Sequence, residues 1–318
     1  MKNKQLTVSH LLSERPGRQL LSLHNSDRID KEIILSDVLK CERVDLYKKP
    51  ERIVTLPEQL RFRNLLQKYE QGCPVAYLTG HKEFMSLDFI ITKDVLIPRP
   101  ETELLVEETL KCLATPVKTS LSGWGQAGIG HSYKPRLVRD KTKITILDVG
   151  TGSGNIAISI AKYCSFGKLQ IFASDISKKS LKIASLNARL HKVQKQIGFY
   201  CGDLFEAFNN LSLRNKTDII VSNPPYISDN DFHELPISVR KYEPQIALFS
   251  GPDGLSLIRK IISQSLHYLK PQGYLLLELG LGQSKKVLNI MKSTNKFKDI
   301  KVLVDYNKIP RVLCARRN

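Results

Sequence analysis

The chain has little of what builds a metal centre, a disulfide frame or a membrane anchor. Its six cysteines (Cys41, Cys73, Cys112, Cys164, Cys201 and Cys314) include no C-x-x-C pair. Scattered cysteines of this kind suit free thiols in a reducing cytoplasm rather than a zinc ribbon or a stapled secreted domain. Seven histidines form no H-E-x-x-H or other ligand-like spacing, so no metal is expected. No apolar run approaches the length of a membrane span, and the lysine-bearing start lacks the apolar core of a signal peptide. The phosphate-cradling G-x-x-x-x-G-K-[ST] is missing as well. Acidic residues are in deficit, 31 against 49 basic ones, a net charge of +18. Such an excess favours an acidic or nucleic-acid-containing partner by long-range attraction. Lysines scattered over solvated faces give the same total, so the charge alone does not indicate nucleic-acid binding.

At 318 residues the chain has room for two domains. Residues 30–39 and 60–69 carry apolar residues at helical spacing; Pro57 suits the start of the second helix and Gly72 its end. Residues 1–80 are therefore expected to form a small helical domain, either a passive cap or a module that docks a macromolecular substrate. Residues 81–98 switch to strand character and predict a connecting β-hairpin with Lys93 and Asp94 near its turn. Pro100, Glu101 and Glu103 suit the first turn of a helix reaching about Leu113, and a catalytic role for the run 98–103 stands equally beside helix initiation. Residues 115–141, rich in Ser, Gly and basic residues and holding the lone Trp124, read as a flexible insertion. From there strands and helices alternate to the end, so 99–318 is expected to be an α/β domain.

Three stretches of that domain carry chemistry. The apolar strand at 144–149 runs into Gly150-Thr151-Gly152-Ser153-Gly154 and then a helix. Glycines let the backbone approach a ligand, and the helix start presents free N–H groups. Asn155 stands where a dinucleotide fingerprint needs Gly or Ala; with Asp148 ahead of it, the loop suits a methionine-bearing nucleoside instead. The next strand ends at Asp175, whose carboxylate can accept from both hydroxyls of a ribose. After a further strand, Asp203 and Leu204 are placed to border the base. The third stretch is Asn223-Pro224-Pro225-Tyr226, which follows an apolar strand. Two prolines cannot continue a sheet ladder, so the chain leaves the sheet at Asn223. The Asn223 side-chain oxygen and the Pro224 carbonyl can each accept one hydrogen of an NH2 group. The aromatic ring of Tyr226 stands beside them.

Taken together, residues 148–154, Asp175 and 223–226 resemble a class I S-adenosyl-L-methionine-dependent methyltransferase acting on planar nitrogen. Further stretches resemble the peptide chain release factor glutamine methyltransferases: 72–80, 96–103 with its Arg-Pro-Glu-Thr-Glu run, 242–248, 251–255, 278–283 and 305–311. The likeness covers about residues 30–318; Leu204 stands where some members carry an aromatic residue.

The resemblance implies a Rossmann-like sheet with a small N-terminal helical domain joined by the hairpin. It also implies S-adenosyl-L-methionine held by Gly150, Thr151, Gly152, Ser153, Gly154, Asp175, Asp203, Leu204 and Asn223. Asn223, Pro224, Pro225 and Tyr226 would bind the substrate, with Asn223, Pro224 and Tyr226 at the reacting atoms. The implied reaction is transfer of a methyl group to the N5 amide nitrogen of the glutamine in the Gly-Gly-Gln loop of class 1 release factors. The expected enzyme is a cytoplasmic monomer that needs no stable nucleic-acid partner and no membrane. Three other readings use the same features. One is an amino-methyltransferase on adenine N6 or cytosine N4, which would have to flip out its base or take a single strand. Another is a glutamine methyltransferase aimed at a ribosomal protein. The last is a non-enzymatic basic RNA- or ribosome-binding module.

Overall fold

The computed structural model describes residues 6–13, 25–114, 143–164 and 168–318. The expected insertion at 115–141, with Trp124, lies outside the described residues. The chain forms two compact units. The smaller comprises the described residues within 1–81 together with 91–93 and 235–242; the larger comprises the described residues within 82–90, 94–234 and 243–318.

The smaller unit is built from α1 (Val8–Ser13), α2 (Asn25–Leu39), α3 (Arg43–Lys48), α4 (Leu56–Glu70) and α5 (Val75–Thr79). Leu11, Ile34, Leu35, Leu46 and Phe62 form its buried core. Pro57 does stand in the first turn of α4, where the Glu58 carboxylate accepts the Thr55 N–H at 2.8 Å. Gly72 follows the helix at φ +89°, a conformation that suits glycine, and a side chain there would press on Ile237.

The hairpin is formed by β1 (His81–Phe84) and β2 (Leu87–Ile90). Its turn is Met85-Ser86, at φ 52° and 55°, and not Lys93-Asp94. Side chains hold this left-handed turn: Met85 N donates to Glu103 at 2.7 Å, Ser86 N donates to Glu83 at 3.2 Å, and the Tyr163 hydroxyl donates to the Met85 carbonyl. Val95 and Ile97 are buried but lie outside any strand. Pro100–Thr102 forms a 3-10 turn, and only then does α6 (Glu103–Ala114) begin.

The larger unit continues through β3 (Ile144–Val149), α7 (Asn155–Tyr163), β4 (Leu169–Asp175), α8 (Lys178–Leu190), β5 (Ile197–Cys201) and β6 (Thr217–Ser222). The chain then passes through α9 (Ile237–Tyr242) of the smaller unit, where the Tyr242 hydroxyl donates to the Gln71 carbonyl at 3.2 Å. It returns for α10 (Ser256–Tyr268), β7 (Leu269–Glu278), α11 (Ser284–Ser293), β8 (Phe297–Val304) and β9 (Pro310–Arg317). The sheet order is β5-β4-β3-β6-β7-β9-β8. Strands β3 to β7 pair in parallel, and β9 is antiparallel to both β7 and β8. This is the class I methyltransferase fold expected from the sequence. Its central strands are buried at most positions, as strands covered on both faces are. The order of connection reverses between β3 and β6, so the carboxyl ends of these two neighbours flank the crevice where open α/β sheets bind ligands. The glycine loop leaves one of them and Asn223 leaves the other.

Candidate active site

The glycine loop is shaped by two carboxylates, one buried and one half-buried. Asp148, the fifth residue of β3, is completely buried and accepts the Thr151 hydroxyl at 2.6 Å through Oδ2. Its Oδ1 has no hydrogen-bond partner. Burial, opposed by that hydrogen bond and by the nearby Ala157 N–H, pushes its pKa up to about 7. Asp175 ends β4 and accepts Gly152 N at 2.9 Å and Ser177 N at 2.8 Å, one on each oxygen. Burial raises its pKa and these two N–H groups oppose the rise. Gly150, Gly152 and Gly154 all stand at positive φ. A Cβ on Gly150 or Gly152 would meet open space, whereas one on Gly154 would lie 2.8 Å from Ile158 Cδ1 and 3.1 Å from Ala184 Cβ. The first two glycines thus leave the loop face clear, and the third lets α7 approach α8. Ser153 is buried, and its carbonyl accepts the Asn187 amide at 2.9 Å.

Asp203 and Leu204 stand beyond β5, at the start of a 3-10 turn, with Leu204 at φ 47°. The Leu204 carbonyl accepts the hydroxyl of Ser174, the residue before Asp175, at 3.1 Å. Asp175 and Leu204 are thereby tied to neighbouring points of one rim.

On the other side of the crevice, the Ser222 hydroxyl donates to the Val149 carbonyl at 2.6 Å and joins the ends of β6 and β3. Asn223 is half-buried, and its Nδ2 donates to the Thr102 hydroxyl oxygen at 3.1 Å. Its Oδ1 is left to face elsewhere. Pro224 is buried; Pro225 and Tyr226 are half-buried. Burial, reinforced by the neighbouring Glu278, raises the Tyr226 phenol pKa. The loop is clamped from behind by Gln283, whose Nε2 donates to the Tyr226 carbonyl at 2.8 Å and the Gly254 carbonyl at 3.3 Å, while its Oε1 accepts Gly280 N at 3.0 Å. Gly254 and Gly280 are glycines because a Cβ would strike the Tyr226 carbonyl at the first and the Tyr226 ring at the second.

Sequence reasoning gave no role to Glu278 or Gln283 and left Thr102 within a run that could either open a helix or take part in catalysis, although all three lie in stretches singled out for their family likeness. What marks them is packing: Thr102 and Glu278 are each 1% exposed polar residues beside Asn223 and Tyr226. That juxtaposition joins the 3-10 turn before α6, the loop after β6 and the end of β7, and no spacing within one segment reveals it.

Residues 140–313 match a methyltransferase domain family, and residues 15–80 match the PrmC N-terminal domain. A release factor glutamine methyltransferase of Rhodopirellula baltica is 35% identical over 92% of this chain and 90% of its own length. The release factor glutamine methyltransferase of Coxiella burnetii is 37% identical, with 95% and 96% covered, and that of Moorella thermoacetica is 33% identical, with 98% and 99% covered. Among solved structures, the hMettl16 catalytic domain in complex with a MAT2A 3'UTR hairpin is 15% identical over 84% of each chain, with a TM-score of 0.49.

Proposed function

The chain belongs to the release factor glutamine methyltransferases, and from that premise we propose that Asn223 and Pro224 hold the reacting amide while the β3 and β4 ends hold the cofactor. The enzyme methylates the side-chain N5 of a glutamine in peptide chain release factors, using S-adenosyl-L-methionine. We place that glutamine in the Gly-Gly-Gln loop of class 1 factors. We take the enzyme to be a cytoplasmic monomer that needs no stable nucleic-acid partner. No helix among the described residues is long and apolar enough to cross a membrane.

The residues present fit the cofactor. Two glycines at positive φ border open space that any side chain would fill, and Asp148 carries an unpartnered buried oxygen. Gly150 to Gly154 would lie along the methionine portion, Asp175 would accept from the ribose hydroxyls, and Asp203 and Leu204 would border the adenine. When bound, the sulfonium supplies an activated methyl group, so the protein needs no covalent nucleophile.

The protein's own task is positioning. An amide nitrogen is a poor nucleophile because its lone pair is delocalised into the carbonyl. Asn223 Oδ1 and the Pro224 carbonyl would each accept one of its hydrogens and hold the nitrogen in line with the methyl group. Orientation of this kind supplies roughly 7–11 kcal/mol in favourable cases. The proton leaves after transfer, so no general base is required beforehand. Tyr226 would close the pocket over the aliphatic part of the glutamine and exclude water.

The single observation that carries this reading is the direction of the Asn223 amide: its Nδ2 donates to Thr102, so the Oδ1 acceptor is the end left for the substrate. Asn223→Ala is expected to bind S-adenosyl-L-methionine as the wild type does, by calorimetry, and to lose methyl transfer. Substrate identity is tested with radiolabelled cofactor, a class 1 release factor, the same factor with its Gly-Gly-Gln glutamine changed to alanine, and a DNA duplex. Label on the intact factor alone is expected; label on the duplex would favour the nucleic-acid reading instead.

A further inference from the structure

Cysteine and histidine spacing in the sequence announces no metal ligands, but the fold assembles a donor set from residues far apart in the chain. Glu108 and Cys112 lie four residues apart on α6, so both side chains stand on one face of that helix. Cys314 comes from β9, and its Sγ lies 4.0 Å from Cys112 Sγ across a separation of 202 residues. A carboxylate oxygen of Glu108 and the two sulfurs all lie within 4.8 Å of one another. Cys314 is fully buried, Glu108 is 3% exposed and Cys112 is half-buried.

Two thiols and a carboxylate suit a borderline or soft divalent cation and disfavour magnesium and calcium, which take oxygen ligands. We propose that Glu108, Cys112 and Cys314 form a zinc site. Zinc–sulfur bonds of about 2.3 Å at tetrahedral angles set two sulfurs about 3.8 Å apart, close to the spacing found between Cys112 and Cys314. A disulfide instead brings its sulfurs to about 2.0 Å, far inside that spacing. On binding, sulfur–zinc bonds replace the two S–H bonds and the protons leave to solvent; nothing is oxidised or reduced. Three protein ligands leave a fourth position for water.

The surroundings balance the charge. Lys301 of β8 pairs with Glu108 Oε1, and Lys111 lies 3.8 Å from Glu108 Oε2. Lys301 stands directly opposite Cys314 in the β8–β9 register, so both side chains lie on one face of the sheet. A zinc ion with two thiolates and a carboxylate carries a single negative charge, which the Lys301 ammonium cancels. A neutral, paired set of this kind tolerates burial. An outer partner on a ligating carboxylate is also what metal centres use to orient their ligands. The lysines account for the burial of Glu108, but a lysine–glutamate pair needs no thiols turned onto it. Hydrogen bonding from Cys314 holds the Cys112 thiol below its ordinary pKa and favours the thiolate that a metal needs. An ion bound there joins the helix that follows the Thr102 turn to the antiparallel side of the sheet.

The test uses the full chain, stripped with a chelator and kept reduced with a phosphine. Cobalt(II), which accepts the same tetrahedral ligand set, is added first and then displaced with zinc. A single equivalent of cobalt is expected to bind with thiolate-to-metal charge-transfer absorption, and a single equivalent of zinc to abolish it. Cys112→Ser and Cys314→Ser are each expected to lose most of that absorption. Each is expected to bind zinc more weakly by more than the roughly 10- to 100-fold that loss of an outer partner costs. Lys301→Met is expected to fall within that range. Glu108→Gln is expected to keep the absorption and lose affinity, and Cys41→Ser, in the smaller unit, to change neither. Unchanged S-adenosyl-L-methionine affinity by calorimetry shows that a variant is folded. If Cys314→Ser does not fold, labelling of the wild type decides: zinc is expected to slow reaction of iodoacetamide with Cys112 and not with the exposed Cys201, read by peptide mass. Cobalt binding without the charge-transfer absorption, absorption undiminished in Cys112→Ser, or labelling of Cys112 indifferent to zinc would overturn the proposal. Full zinc affinity in Glu108→Gln would remove the carboxylate from the set.

Discussion

Gly150 and Gly154 share a left-handed backbone but resist substitution for different reasons. At Gly150 a Cβ meets nothing within 4 Å, so alanine costs backbone strain alone, about 1 kcal/mol. At Gly154 the same strain is joined by a clash with Ile158 and Ala184 at the junction of two helices. Urea denaturation of the cofactor-free protein is expected to show Gly154→Ala destabilised by roughly 2–4 kcal/mol and Gly150→Ala by much less. Calorimetry is expected to reverse the order for cofactor affinity, because the Cβ at Gly150 enters the open face of the loop. A glycine-rich motif makes all three positions visible in sequence. It does not tell the glycine that admits a ligand from the glycine that admits a helix, since the second depends on where Ala184 falls. Thr102 illustrates the same limit: a threonine in a helix-opening run reads as local chemistry until Asn223 is seen against it.

At the scale of elements, two side-chain amides hold the crevice walls. Asn187 of α8 is completely buried, accepts Ile90 N at 2.8 Å and donates to the Ile90 and Ser153 carbonyls at 3.0 and 2.9 Å. It therefore ties β2 to the glycine loop. Asn187→Leu leaves three backbone groups unpaired and is expected to cost roughly 3 kcal/mol or more, at about 1–3 per group, read from the denaturation midpoint. Gln283 plays the corresponding part behind Tyr226. Gln283→Glu sets a carboxylate against two carbonyl oxygens and is expected to lower kcat further than Gln283→Leu in the transfer assay. The parallel strands and the helices between them were legible because each is one long periodic or continuously apolar segment. The hairpin turn was not: Met85 and Ser86 carry no turn chemistry of their own, and their left-handed backbone is held by Glu103, Glu83 and Tyr163. Lys93-Asp94 looked more like a turn and lies beyond the hairpin, where the Asp94 carbonyl accepts the Ser180 hydroxyl.

For the molecule as a whole, two buried carboxyls set an unusual pH dependence. Asp148 rises from 3.8 and Glu278 from 4.5, each to about 7. Between their unfolded and folded values the native state binds more protons than the unfolded chain, so stability falls as pH rises through that window. Asp253, Asp305 and Glu58, whose pKa values are lowered, act the other way but below the ordinary carboxylate range. Thermal unfolding without cofactor is expected to give a higher Tm near about pH 5.5 than near about pH 8. Asp148→Asn and Glu278→Gln are each expected to flatten the difference. A Tm that climbs steadily across the same interval would contradict the assignment.

The path of the chain after Tyr226 has a consequence for how such an enzyme can be taken apart or reassembled. Residues 235–242 belong to the smaller unit although they are encoded within the catalytic half. The smaller unit is therefore not a cassette with one entry and one exit. Cutting the chain after residue 81 removes Gln71 and Gly72 but leaves behind Ile237 and Tyr242, which meet them. A graft of a foreign N-terminal domain must carry its own version of this eight-residue excursion. Recombination that exchanges the N-terminal segment alone would yield chimaeras mismatched at that excursion, so this smaller unit and the stretch just beyond the Asn-Pro-Pro-Tyr motif are constrained to change together.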